Sequence, residues 1–314
     1  SLFSPETLLN PIASFIYTSK LLPFVLFFRF FYEKFQAKID VLEKILYAFA
    51  QYICLASALT LTGIIKPASE MISAESFGIK NAVYFSGLFG APHAASSYCC
   101  IAILILLNGF LIRYYKSKFS KVFNASLLIV AFIAVFKAYV RTGWLMLVIG
   151  LFCLVDFKTV NAKRILAYLF CILLGIGGIL YFYNNNIAFR NRINGVNIYQ
   201  TRNPDGIELG GSGRTAFWLN GISNWANNDG IYQVFFGSGY TKVTENNLKS
   251  TGMKVFSHNL FVDTLAQHGI IGFILLLTVF FSLYHFIVRI SRGSPYKRLC
   301  LGAYWSNIIF ALFQ

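Results

Sequence analysis

The stretch Lys254–Leu277, KVFSHNLFVDTLAQHGIIGFILLL, changes character in its middle. Polar loop residues give way to an unbroken apolar run, and His258 sits at the crossing. From Ser257 to Arg289 the chain is too long for one straight passage through about 30 Å of hydrocarbon at roughly 1.5 Å per residue. The pattern predicts a short helix over 259–267 along the membrane interface, a break at His268–Gly269, and a crossing helix from Ile270. A neutral imidazole at such a boundary accepts a proton from a hydroxyl; the alternative is a histidine that satisfies local hydrogen bonds. Asp263, five residues on, is not an obvious partner for it.

The rest of the chain agrees with a lipid environment. Hydrophobic residues are 57% of the 314 and charged residues 12%, with a mean hydropathy of +0.62. A soluble domain of this size has too little interior to hide that apolar surface. Apolar stretches lie near 10–31, 44–65, 92–113, 122–140, 143–156 (a short one), 165–183, 270–289 and 299–314. The expected fold is therefore an all-α integral membrane protein, a multi-spanning helical bundle of about eight spans. It reads as one polytopic domain over 1–314, and the apolar run at Gln314 suggests that further helices lie beyond the sequence.

Charge orders the connections. Glu33–Glu43 holds Lys34 and Lys38; Arg113–Lys121 adds Lys116 and Lys118; Asp156–Arg164 adds Lys158 and Lys163; Arg289–Arg298 adds Arg292 and Lys297. If every stretch spans, these four fall on one side, which the positive-inside rule makes cytoplasmic. The other side receives 66–91, the turn around Arg141 and the long loop 184–257. The net charge of +15 is dispersed between spans in this way, which argues against nucleic acid as a partner. The six cysteines all lie in apolar segments without a CxxC pair, so neither a disulfide framework nor a metal site is indicated. GxxxxGK[ST], HExxH and GxSxG motifs are absent, which leaves nucleotide hydrolysis and metal catalysis no foothold.

The outer loop carries Arg190, Arg192, Arg202, Arg214, Lys242, Lys249 and Lys254 against Asp205, Glu208, Asp229 and Glu245, and so favours an anionic partner. Within it, ELGGSGRTAFWLNGISNW predicts a helix through Arg214, Phe217, Trp218 and Ile222, capped by Ser212. The N–H groups of that helix start and the Arg214 fork suit a phosphate, with Phe217 and Trp218 placed on the membrane interface. In FKAYVRTGWLMLV, Lys137 and Arg141 are four apart and are expected on one helix face, Lys137 snorkelling to headgroups and Arg141 more buried. In SGLFGAPHAASSY, two glycines and Pro92 break the backbone just before a span, and His93 follows, placed for a sugar or phosphate oxygen.

In this order these motifs resemble the bacterial O-antigen ligase and polymerase superfamily of multi-spanning glycosyltransferases, over roughly residues 80 to 280. The resemblance rests on SHNLFVDTLAQHGIIG with His258–Asn259 and the Gly269-x-x-Gly272 break, on the turn FGSGY at Phe236–Tyr240, on Arg141 between spans and on Arg214 opening a loop helix. His93 stands where many members have Asn. It implies transfer of a glycan from an undecaprenyl-diphosphate-linked donor to a glycan or lipid A core acceptor, at the periplasmic face of the bacterial inner membrane and without metal or cofactor. His258, Arg214 and Arg141 are the catalytic residues it implies; Lys137, His93, Arg190, Arg192, Asn259 and Trp218 are the substrate-binding ones. A chain-length regulator or flippase is an implied partner. A polymerase is expected, with a ligase as the alternative and a lipid-linked glycan transporter as a more distant one.

Overall fold

A computed structural model describes residues 39–67, 84–155, 177, 180–181, 183–185, 190, 214–227, 230–251, 256–290 and 294–313. The expected span at 10–31, nearly all of that at 165–183, most of the loop 184–213 including Ser212, and Arg192 lie outside the described residues. What is described is helical, without strands among the described residues, and the protein is a helical integral membrane protein. Among the described residues, four helices are long and apolar enough to cross a membrane: Val41–Leu61, Pro92–Leu111, Lys118–Lys137 and Leu260–Arg289.

Two compact units emerge, one built mainly on 49–155 with 294–310 and the other mainly on 214–290 with 311–313. The first unit holds most of α1 (Ile39–Leu61), α2 (Pro92–Leu111), α3 (Lys118–Lys137), α4 (Arg141–Leu154) and most of α9 (Lys297–Phe313). Pro92 opens α2 at a position where its missing N–H costs nothing. The Ser117 hydroxyl caps α3 by accepting from Ser120 N at 3.1 Å. α2 packs against both α3 and α4. Gly143 faces Ser96, and Gly150 faces Leu104. Seven residues along α4 match eight along α2, in the same direction, so α2 and α4 run parallel, with α3 returning between them.

Small residues and short polar bonds hold this unit together, as expected where lipid removes the hydrophobic drive between helices. Gln51 Nε2 donates to Asn124 Oδ1 at 2.8 Å, and Ser306 Oγ donates to the Met146 carbonyl at 2.8 Å. The Cys100 thiol donates to the Gly143 carbonyl at 3.2 Å. A Cβ on Gly143 would stand 1.7 Å from Ser96 Oγ, so only glycine permits this approach. Outward faces stay apolar: Ile129 is 62% exposed and Val148 63%. The basic connection Arg113–Lys121 gathers at the end where α2 finishes and α3 begins.

One expectation needs correcting here. Lys137 and Arg141 do not share a helix face, because Lys137 is the last residue of α3 and Arg141 the first of α4. Between them Tyr139 takes a left-handed backbone, φ 52°, which ends the helical register.

In the second unit, α5 (Arg214–Ala226), α6 (Ile231–Phe236) and α7 (Tyr240–Thr251) precede α8 (Leu260–Ile290). α8 is interrupted at Gly269, whose φ 65° and ψ −166° no helix contains. The expected short helix, break and crossing helix are all present, but the break is sharper than a bend. The Phe261 and Phe280 rings stack with centroids 5.5 Å apart, although 19 residues of straight helix would separate them by about 28 Å. The first arm therefore folds back along the second. The second arm, 270–290, spans about 31 Å by itself, enough to cross a bilayer.

Candidate active site

The loop before α8 is built around one side chain. Asn259 caps the helix: its Oδ1 accepts from Phe261 N at 2.9 Å and Val262 N at 3.2 Å. From the first turn, the Asp263 carboxylate reaches back. It accepts from Ser257 Oγ at 2.7 Å and Ser257 N at 3.0 Å, and from the Asn259 backbone N–H. Ser257 and Asn259 are both buried, and His258 between them is only partly so. His258 takes a left-handed backbone, φ 56°. Few residues other than glycine adopt that conformation, though histidine does so more readily than most. The histidine thus projects from a loop tied down on both sides of it. Strain of this kind persists only where the surroundings enforce it, and it concentrates at functional sites.

α5 supplies the facing wall. Arg214, Phe217 and Trp218 lie on one helix face by their spacing. Trp218 Nε1 donates to the Ser257 carbonyl at 2.9 Å, so Ser257 is held from both its ends. Phe217 meets the His258 ring edge to face, centroids 6.5 Å apart. It is 2% exposed, which replaces its expected place on the membrane interface with one inside the unit. The Arg214 guanidinium donates to the Phe313 carbonyl, and Trp218 leans on the Phe313 ring at 5.8 Å.

The kink of α8 is fixed by the FGSGY turn. Ser238 N donates to the Ala266 carbonyl at 2.9 Å, and Gly239 N to the Gln267 carbonyl at 3.2 Å. These carbonyls lie just before the break and would otherwise be orphaned at a helix end. Gly237 and Gly269 sit backbone on backbone. A Cβ on Gly237 would come 2.2 Å from Gln267 C, and one on Gly269 2.4 Å from Phe235 C. Two motifs that looked separate in the sequence form one joint.

Of the expected site residues, the structure brings Arg214, Trp218, His258 and Asn259 together in this unit. It places His93, Lys137 and Arg141 at one end of the other unit: His93 in the first turn of α2, Lys137 at the end of α3, Arg141 at the start of the parallel α4. There the segment before α2 is tied to the turn after α3 by Phe85 N donating to the Lys137 carbonyl at 3.0 Å and by the Tyr84–Tyr139 ring contact. Arg141 is partly buried and Lys137 exposed, in the expected order. Arg190 is described as partly buried, also in the first unit. From its spacing Asp263 was set aside as a partner of His258, and Ser257 was not singled out. The signal was available as an asparagine at the head of an apolar run with an acid in the following turn. Among the described residues no group of three or more His, Cys, Asp or Glu is placed to hold a metal.

Helices of membrane-crossing length and a strained polar loop beside a cationic helix define a membrane-embedded protein with a built polar site. Residues 126–277 match the family model described as O-antigen ligase. The match covers just under half of the chain and supports a place for that region in the O-antigen polymerase and ligase superfamily. The matched region runs from α3 into the crossing arm of α8 and contains every expected site residue except His93. No curated protein matches the chain. The match supports, in general terms, a membrane O-antigen polymerase or ligase activity.

Proposed function

We propose that this protein joins lipid-linked glycan to an acceptor hydroxyl at the non-cytoplasmic face of the bacterial inner membrane, with His258 as general base. The observation that carries the reading is the enforced left-handed backbone of His258 beside the α5 face that bears Arg214. An imidazole nitrogen takes the proton of the acceptor hydroxyl as its oxygen attacks the anomeric carbon. The new C–O bond forms as the bond from that carbon to the diphosphate breaks, and the polyprenyl diphosphate leaves with the electron pair. Direct displacement of this kind inverts the anomeric centre.

Charge grows on the departing diphosphate, and fixed cations are the cheapest way to stabilise it. Arg214 takes that role, its guanidinium offering paired donors to phosphate oxygens. Arg141, at a helix start where unpaired N–H groups add positive field, is assigned to phosphate on the same chemistry. Lys137, His93, Arg190 and Arg192 are assigned to sugar and phosphate oxygens. Asn259 spends its side-chain oxygen on the α8 cap and Trp218 spends its N–H on Ser257, so their contribution to substrate comes through the amide nitrogen and the ring face.

The acceptor we favour is a second lipid-linked repeat unit, which makes the enzyme a polymerase. The alternative is the ligase reading, in which finished polymer passes to a lipid A core; the family match is compatible with both. Cells lacking the native gene, complemented with wild type, His258→Ala or Arg214→Ala at matched membrane levels, separate these on a lipopolysaccharide gel. Loss of both variants with a single repeat on the core marks a polymerase. Loss with long polymer stranded on its carrier marks a ligase. A normal ladder from either variant removes that residue from the mechanism and strengthens a transporter or scaffold reading.

A further inference from the structure

We infer that Asp263 is a positioning residue for His258: by gathering Ser257 N–H, the Ser257 hydroxyl and the Asn259 N–H it locks the loop that aims the imidazole at the acceptor. The inference rests on the assignment of His258 as the base and extends it to a residue that touches neither substrate nor the reacting atoms.

The geometry is specific. Asp263 accepts from residues on both sides of His258, while its own N–H is spent on the Asn259 carbonyl at 2.8 Å. A carboxylate with two oxygens and about four lone-pair sites accommodates three donors without difficulty. No neutral side chain of the same size does so, because an amide has one oxygen and turns two N–H groups toward the loop. The Ser257 carbonyl, the remaining handle, is fixed from α5 by Trp218. Left to itself, a histidine backbone relaxes out of the left-handed region; here four bonds oppose that relaxation.

A plain capping role would look different in kinetics. Loss of a cap lowers the fraction of folded enzyme and leaves each folded molecule as active as before. Loss of a positioning group lowers turnover per folded molecule and leaves donor binding alone. The experiment uses the purified full chain in lipid nanodiscs with an undecaprenyl-diphosphate-linked oligosaccharide, and measures kcat, KM and thermal unfolding for wild type, Asp263→Asn, Ser257→Ala and His258→Ala.

Asp263→Asn is expected to lower kcat about 100-fold, the scale of a misplacement of about 1 Å in a catalytic group, with KM for the donor within about twofold. Ser257→Ala removes only the hydroxyl bond and keeps both backbone donors, so its kcat falls by less, about 5- to 10-fold, the scale of one hydrogen bond. Unchanged kcat per folded molecule in Asp263→Asn overturns the inference and leaves a cap. Should Asp263→Asn not accumulate in membranes, unchanged kcat in Ser257→Ala overturns it equally. His258→Ala separates the two layers. Turnover in that variant sinks the base assignment itself, whereas its silence beside a fully active Asp263→Asn sinks only the positioning role.

Discussion

Gly269→Ala is the sharpest test of the joint between the FGSGY turn and α8. Gly269 has φ 65° and ψ −166°, a region that is essentially closed to residues with a Cβ. Forcing alanine there costs about 1–3 kcal/mol in backbone strain. The added methyl also meets backbone: Phe235 C and O at 2.4 Å and Gly237 N at 2.6 Å. Backbone cannot rotate aside as a side chain can, so overpacking adds about 1–3 kcal/mol. Together about 2–6 kcal/mol is lost, against total stabilities of about 5–15 kcal/mol for typical domains. The damage is local to the reversal, so the first arm swings away and the His258 loop loses its support. Gly230→Ala is the control. Gly230 has φ −142° and nothing within 4 Å of an added Cβ, and alanine there should shift stability by no more than about 0.5 kcal/mol. Thermal unfolding of both variants in the same detergent, read by near-ultraviolet circular dichroism, checks the pair. Equal midpoints for Gly269→Ala and Gly230→Ala would refute the backbone-on-backbone joint.

Other changes probe the same loop more gently. Asn259→Ala removes the cap that accepts from Phe261 N and Val262 N, and should cost about 0.5–2 kcal/mol, measured as a lower unfolding midpoint with residual transfer activity. Trp218→Phe keeps the ring and deletes the donor to the Ser257 carbonyl. It should destabilise by about 1–3 kcal/mol, because the half-released carbonyl stays in a buried loop, and the same unfolding assay reads it.

The break at Gly269 and the crossing arm from 270 were legible in the sequence because glycine after histidine, followed by an apolar run, marks where a helix cannot continue. How far the chain turns there was not legible. The angle is set by Phe235, Gly237, Ser238 and Gly239 docking on 266–269, partners some 30 residues away whose approach no local pattern encodes. The span positions of α2 and α3 followed from apolar length alone. The link between Lys137 and Arg141 was misread for the opposite reason: spacing by four implies a shared face only inside one helix, and the left-handed Tyr139 is an unusual place to end one.

The candidate site was partly legible in the same way. His258 and Arg214 stood out by residue type and by place at a loop boundary and a helix start. Asp263 did not, because five residues of extended or helical chain carry a side chain away from its neighbour. Only a loop that turns through a positive φ at His258 brings the carboxylate back to both flanks of the histidine. Phe217 was assigned to the membrane by its apolarity; tertiary packing against His258 claimed it instead.

His258 is the group we assign to take the acceptor's proton. The most direct measurement is single-turnover transfer by purified wild type and His258→Ala in nanodiscs, with binding of the undecaprenyl-diphosphate-linked donor followed separately on the same preparations. Donor binding that survives in His258→Ala while transfer falls by about 100-fold or more, the scale of a lost general base, is the predicted result. Transfer at the wild-type rate by a folded, donor-bound His258→Ala would contradict it.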